Sequence, residues 1–114
     1  MQHDDLVYVG DMYDFAVGIA RRGDGLERKA FDDNEDLRLA IVQLLGWVGV
    51  AARRVSPEFR QAHSEIPWAL AVGMRNILAH DYLHVDWDVV FKTATESMPR
   101  LVAALAALLP PDQR

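Results

Sequence analysis

The sequence predicts an all-α domain, a helical bundle of four long helices plus a short one. Three observations lead there. Apolar residues recur at three- and four-residue spacing over long stretches. Alternation of the strand type is weak throughout. Residues that start and stop helices stand at the ends of the periodic runs.

The first helix is expected from about Asp4 to Arg22, with Leu6, Val9, Tyr13, Ala16, Val17 and Ala20 on one face. Gly23-Asp24-Gly25 ends it. Leu26 to Asp33 reads as a connector with room for one short helical turn. The second helix runs from Asn34, a plausible N-cap, to Val55. Its core stripe is Leu37, Ala40, Ile41, Leu44, Val48, Ala51, Ala52 and Val55. Its other side, Val42, Leu45, Gly46, Trp47, Gly49 and Val50, is apolar too. A helix apolar nearly all round is buried nearly all round, so a dimer interface is inferred here, with Gly46 and Gly49 permitting close approach.

Ser56-Pro57 is an N-cap followed by proline at the first helical position, opening a short helix to about His63. A further helix starts near Ile66-Pro67 and fades around His80 to Leu83. Asp86 caps the last helix, which runs to about Leu109 on a stripe of Trp87, Val90, Phe91, Ala94, Met98, Leu101, Val102, Leu105 and Leu108. Pro99 is expected to bend it, and Pro110-Pro111 to stop it. Short loops between amphipathic helices make neighbours antiparallel.

Composition bounds the function. The 114 residues suit one domain, 1–114, and the absence of cysteine excludes disulfides and thiolate metal sites. The start, Met1-Gln2-His3-Asp4-Asp5, is acidic without a signal-peptide pattern, and no apolar stretch nears the roughly 20 residues of a membrane span. A cytoplasmic protein without a membrane role is expected. The formal charge of −5 argues against a broad grip on nucleic acid. It leaves room for a small basic cleft drawn from Arg21, Arg22, Arg28, Lys29, Arg53, Arg54, Arg60 and Arg75.

Chemistry concentrates in Arg75-Asn76-Ile77-Leu78-Ala79-His80-Asp81-Tyr82. Asn76 and His80, four apart, share a helix face. Arg75 lies about 140° around from His80 on a helix, but its long side chain can swing to the same cleft. Histidine titrates near neutrality and can take the proton of an attacking hydroxyl. Arginine matches a phosphate in two-pronged geometry. Asparagine can bind a phosphate oxygen or orient the histidine. RNA carries its own nucleophile, the 2′-hydroxyl, so this set can cleave RNA with no cofactor.

Taken singly, each residue has a plainer role: a helix-end histidine as a cap, an arginine in an ion pair, an asparagine on the surface, a tyrosine in packing. Their concentration in eight residues is the signal. His80 and His84, also four apart, could hold a divalent metal only if the helix ran through both, so no metal site is assigned. Trp47, Trp68 and Trp87 could stack bases, but each falls on an apolar face, where core or interface is the commoner role.

The run Ile66-Pro67-Trp68, then Gly73-Met74-Arg75-Asn76-Ile77-Leu78-Ala79-His80-Asp81-Tyr82, then Val85-Asp86, resembles the signature of HepT-like proteins of the HEPN family. Arginine, four residues, histidine, any residue and tyrosine match at Arg75, His80 and Tyr82, with the frequent asparagine at Asn76. The resemblance extends over roughly 34–109. It implies a two-fold homodimer with both motifs lining one cleft, and a metal-independent ribonuclease toxin acting on tRNA or mRNA. It implies Arg75, Asn76 and His80 as catalytic residues. It also implies a partner, a minimal nucleotidyltransferase antitoxin of the MntA type, that transfers AMP to Tyr82. Two other readings stay open: a non-catalytic AMP acceptor for that partner, and a nucleotide-binding regulator.

Overall fold

A computed structural model describes residues 4–76 and 84–114. Helices α1 (Asp5–Gly23), α2 (Arg28–Asp32), α3 (Glu35–Arg54), α4 (Pro57–Ala62) and α5 (Trp68–Gly73) precede the undescribed stretch. A final long helix follows, built of α6 (Trp87–Lys92), a π-helical turn over Thr93–Ser97 and α7 (Met98–Ala106). No strand occurs among the described residues, as the all-α reading expects. No described helix is long and apolar enough to cross a membrane.

The ends of these helices are fixed by side chains that accept from otherwise unpaired backbone N–H groups. Asn34 accepts from the Leu37 N–H at 3.0 Å, and Ser56 from Phe59 at 3.1 Å. Asp86 accepts from Asp88 and Val89. All three are the caps the sequence marks. Ser56 has a second task. Its N–H and hydroxyl both donate to the Asp5 carboxylate, at 2.7 and 2.8 Å, so the start of α1 is tied to the α3–α4 corner.

Helix α1 buries Val9, Met12, Ala16 and Ile19 against Ile41, Leu45, Val48 and Ala52 of α3 and Met98, Leu101 and Leu105 of the last helix. The buried face of α1 is turned from the expected one. Leu6 stays 42% exposed, Tyr13, Val17 and Ala20 flank the core, and Met12 and Ile19 fill it. The cause is that α1 packs on two neighbours, so its centre lies between them. Gly23 ends α1 with no side chain because an added Cβ would stand 2.9 Å from the Ala94 carbonyl oxygen. Gly25 turns the chain at φ +68°.

The connector after α1 holds the short helical turn it had room for, as helix α2. Two expectations need adjustment. Pro99 does not simply bend the last helix. It has no N–H, and its ring would press on the carbonyl four residues back. The π turn, in which the Met98 N–H donates to the Thr93 carbonyl, widens the coil just before it. Finally, the far side of α3 is largely covered by the chain itself: Val42, Leu45, Gly46 and Gly49 are buried, and Leu39 and Trp47 stay open. That part of the face is accounted for within one chain, and Trp47 with half-buried Val50 is what remains open on it.

Replacing Ser56 with alanine removes the α4 cap and the hydroxyl's hydrogen bond to Asp5, and leaves the one from the backbone N–H. We expect a loss of about 1–2 kcal/mol of stability, read as a lower midpoint in thermal unfolding. An unchanged midpoint would show that this corner contributes little.

Candidate functional site

Arg75 and Asn76 stand on the helical turn that continues α5, and both are exposed. That turn is seated by residues upstream. Ile66 is buried, Trp68 is nearly so, and the Trp68 indole N–H donates to the His63 carbonyl at 2.9 Å. Ala71 and Met74 enter the core. The run before the motif is therefore an anchor that leaves Arg75 and Asn76 facing outward. His80 and Tyr82, like Asp81, lie outside the described residues.

The anchored turn crosses α3 at Gly49. An alanine Cβ there would lie 2.5 Å from the Arg75 amide nitrogen and 3.0 Å from its Cα. No real side chain tolerates that distance, and the atoms it meets are the Arg75 backbone and its Cβ, none of them the free end of a flexible side chain. The close approach expected at Gly49 is real, but its partner is Arg75 of the same chain. The sequence marked the glycine correctly and its partner could not be read from it, because spacing along a chain does not say which helix crosses there.

The crossing assembles a basic pocket. Arg75 lines a cavity of about 400 Å³ with Val50, Arg53 and Arg54. Arg53 and Arg54 are in the last turn of α3, where cations also complement the helix dipole. The Arg54 guanidinium lies 6.0 Å from the centre of the Tyr8 ring, a cation–π distance. Among the described residues, neither Arg53 nor Arg75 has an ion-pair partner. Three guanidinium groups and, among the described residues, no carboxylate line this small cavity, which makes it an anion site, and their planar forks suit a phosphate.

Other cations that might have joined are placed elsewhere. Arg28 binds Asp32 at 2.8 Å and Asp88 at 2.5 Å. The hydrogen bonds it donates to those two carboxylates, Asp32 first, push its pKa up. Lys29 pairs with Asp33 at 2.8 Å. Arg22 donates to the Gly18 carbonyl, and Arg21 lines a separate cavity beside the π turn. The acidic run around Asp32 and Asp33 is thus engaged by cations of its own helix. Among the described residues, no three histidines, aspartates or glutamates are grouped to hold a metal ion.

Gly49→Ala should displace the Arg75 turn from α3. We expect about 1–3 kcal/mol of destabilisation, the usual size of an overpacking cost, measured by chemical denaturation. Gly49→Ala with wild-type stability would mean that the crossing is looser than described.

Comparison with known proteins agrees with the motif. The family described as Ribonuclease HepT-like matches residues 12–108. A protein of Methanocaldococcus jannaschii that carries an RNase name is 27% identical over 100 residues, covering 88% of this chain and 92% of the relative. An RNase-named protein of Caldanaerobacter subterraneus is 30% identical over 91 residues, 80% of this chain and 81% of the relative. A protein of Thermococcus cleftensis named as a ribonuclease HepT is 36% identical over 64 residues, 56% of this chain and 58% of the relative. No solved structure matches. The match begins in the middle of α1 and runs to the end of the last helix, and the chain belongs to the HepT-like ribonuclease family.

Proposed function

We propose that this protein is a metal-independent endoribonuclease toxin of a HEPN and minimal-nucleotidyltransferase pair, cleaving RNA such as tRNA or mRNA. The observation that carries the reading is the pocket of Arg53, Arg54 and Arg75 on an otherwise acidic chain, opening the motif that ends in His80 and Tyr82. Family membership supports the substrate class.

In this mechanism Arg75 holds the scissile phosphate and stabilises the charge that builds on it during attack. Arg53 and Arg54 add to the clamp. His80 removes the proton of the 2′-hydroxyl. The 2′-oxygen bonds to phosphorus as the bond to the 5′-oxygen breaks, and the leaving oxygen takes a proton. The products are a 2′,3′-cyclic phosphate and a free 5′-hydroxyl. Asn76 orients the phosphate or the imidazole. No cofactor enters the scheme.

Regulation belongs to the same reading. An MntA-like antitoxin would transfer AMP to Tyr82, two positions after His80. The added phosphate brings bulk and negative charge, and both oppose RNA. A two-fold homodimer with both motifs facing one cleft is also part of it, and its support is family membership alone.

The test is incubation of the purified protein with total cellular RNA and tRNA in a chelator, with Tyr82 verified as unmodified by mass spectrometry. Cleavage is expected, reduced about a hundredfold or more in His80→Ala. Absence of cleavage by the unmodified protein would favour the non-catalytic AMP acceptor instead. Arg53→Ala should weaken RNA binding and lower the slope of log affinity against log salt by about one. An unchanged slope would remove Arg53 from the phosphate contact.

A further inference from the structure

Two clefts share a wall. Beside the arginine pocket, a groove of about 420 Å³ runs between α1 and α3, and Val50 and Arg54 line both. Tyr8, Asp11, Phe15 and Trp47 complete its working surface. Trp47 is 44% exposed in the middle of α3, an unusual place to leave the largest apolar side chain in water. It rests against Phe15, ring centres 5.4 Å apart. The other tryptophans are used inside the fold. Trp68 is buried, and Trp87 is half-buried against Phe31 with the Arg38 guanidinium 5.3 Å from its ring centre.

We propose that the α1–α3 groove is a nucleobase-stacking subsite for single-stranded RNA, with Trp47 as the platform and the adjoining phosphate on the arginine pocket. The inference rests on the ribonuclease reading and adds to it which form of RNA is taken. Charge sets the polarity of the bound strand's parts. Tyr8 marks the Arg54 end of the groove and Phe15 the Trp47 end, so Asp11, an exposed carboxylate between them on α1, repels phosphate from the middle of the groove, whereas the arginines attract it at their own end. A base therefore enters the groove and its backbone lies toward Arg54. Trp47 and Arg54 are two helical turns apart on one face of α3, about 10 Å, a span that the sugar and base of a nucleotide can bridge. Arg54 belongs to both clefts and is the junction between them.

Stacking on an aromatic ring tolerates any base, because each has a π face. It requires a base free of its own helix, since paired bases are stacked on one another. The subsite selects loops and single strands over duplex, without strong sequence preference.

The experiment uses the full chain and a single-stranded oligonucleotide with 2′-O-methyl sugars, which cannot be cleaved through the 2′-hydroxyl. Binding is followed by oligonucleotide anisotropy and by tryptophan fluorescence. Wild type should bind with quenching, and the matching duplex should bind more weakly. Trp47→Phe should lose most of the quenching and keep affinity within a few-fold, because phenylalanine still stacks. Trp47→Ala should bind about tenfold more weakly, with circular dichroism confirming its fold. Unchanged affinity and quenching in Trp47→Ala would overturn the subsite. A sedimentation profile in which wild type is a dimer and Trp47→Ala a monomer, with RNA affinity unaltered, would overturn it in favour of a second copy on the groove. The two readings separate cleanly. Full cleavage of tRNA by Trp47→Ala with unchanged affinity rejects the stacking subsite and leaves the nuclease. Quenched binding of the oligonucleotide without cleavage by unmodified wild type rejects the nuclease and keeps the stacking subsite.

Discussion

The contact between Gly49 and the Arg75 backbone is the constraint on which the rest of the site depends. Two helical segments can cross at so short a distance only where one of them lacks a side chain. That crossing puts Arg75 beside the last turn of α3, where Arg53 and Arg54 already stand. The basic pocket is thus a product of backbone packing. Among the described residues, no carboxylate lines the pocket. The burial of Ile66, Trp68, Ala71 and Met74 holds the crossing segment in place from the other side.

The charge distribution follows from the same economy. A chain with a formal charge of −5 repels RNA over most of its surface. Its acidic groups near α2 are engaged by Arg28 and Lys29, and these surface pairs contribute little to stability. What they do is occupy two of the cations that might otherwise have formed a second basic patch. The remaining concentration of positive charge at Arg53, Arg54 and Arg75 is small, local and contiguous with an aromatic groove. Attraction confined to one place gives an acidic protein a way to hold RNA in one register instead of along its length.

Much of this was legible in the sequence, for identifiable reasons. Caps are local: Asn34, Ser56 and Asp86 each accept from an N–H two or three residues on, so a short window reveals them. Helical periodicity located α1, α3 and the last helix to within a residue or two at most ends. The motif at Arg75 carried the family because the whole run, with Tyr82 and the preceding Ile66-Pro67-Trp68, is specific where the arginine-to-histidine spacing alone is weak. What escaped was whatever depends on a third body. The burial of Met12 in place of Leu6 depends on where two other helices press on α1. The role of Gly49 depends on which segment crosses it. The π turn before Pro99 stands where Ala94 packs against Gly23 of α1, a contact between segments far apart in sequence. Trp47 reads from its apolar face as core or interface, and its 44% exposure beside Phe15 of α1 depends on how the two helices pack.

The central claim is that RNA meets this protein at the crossing of α3 and the Arg75 turn. The most direct measurement is a backbone amide titration by NMR of the His80→Ala protein with a short single-stranded RNA. Shifts should concentrate on residues 47–54 and 73–76, with the opposite side around Arg28, Lys29 and Asp88 unmoved. Shifts centred elsewhere, for example on the cavity at Arg21 and the π turn, or none at saturating RNA, would contradict the account.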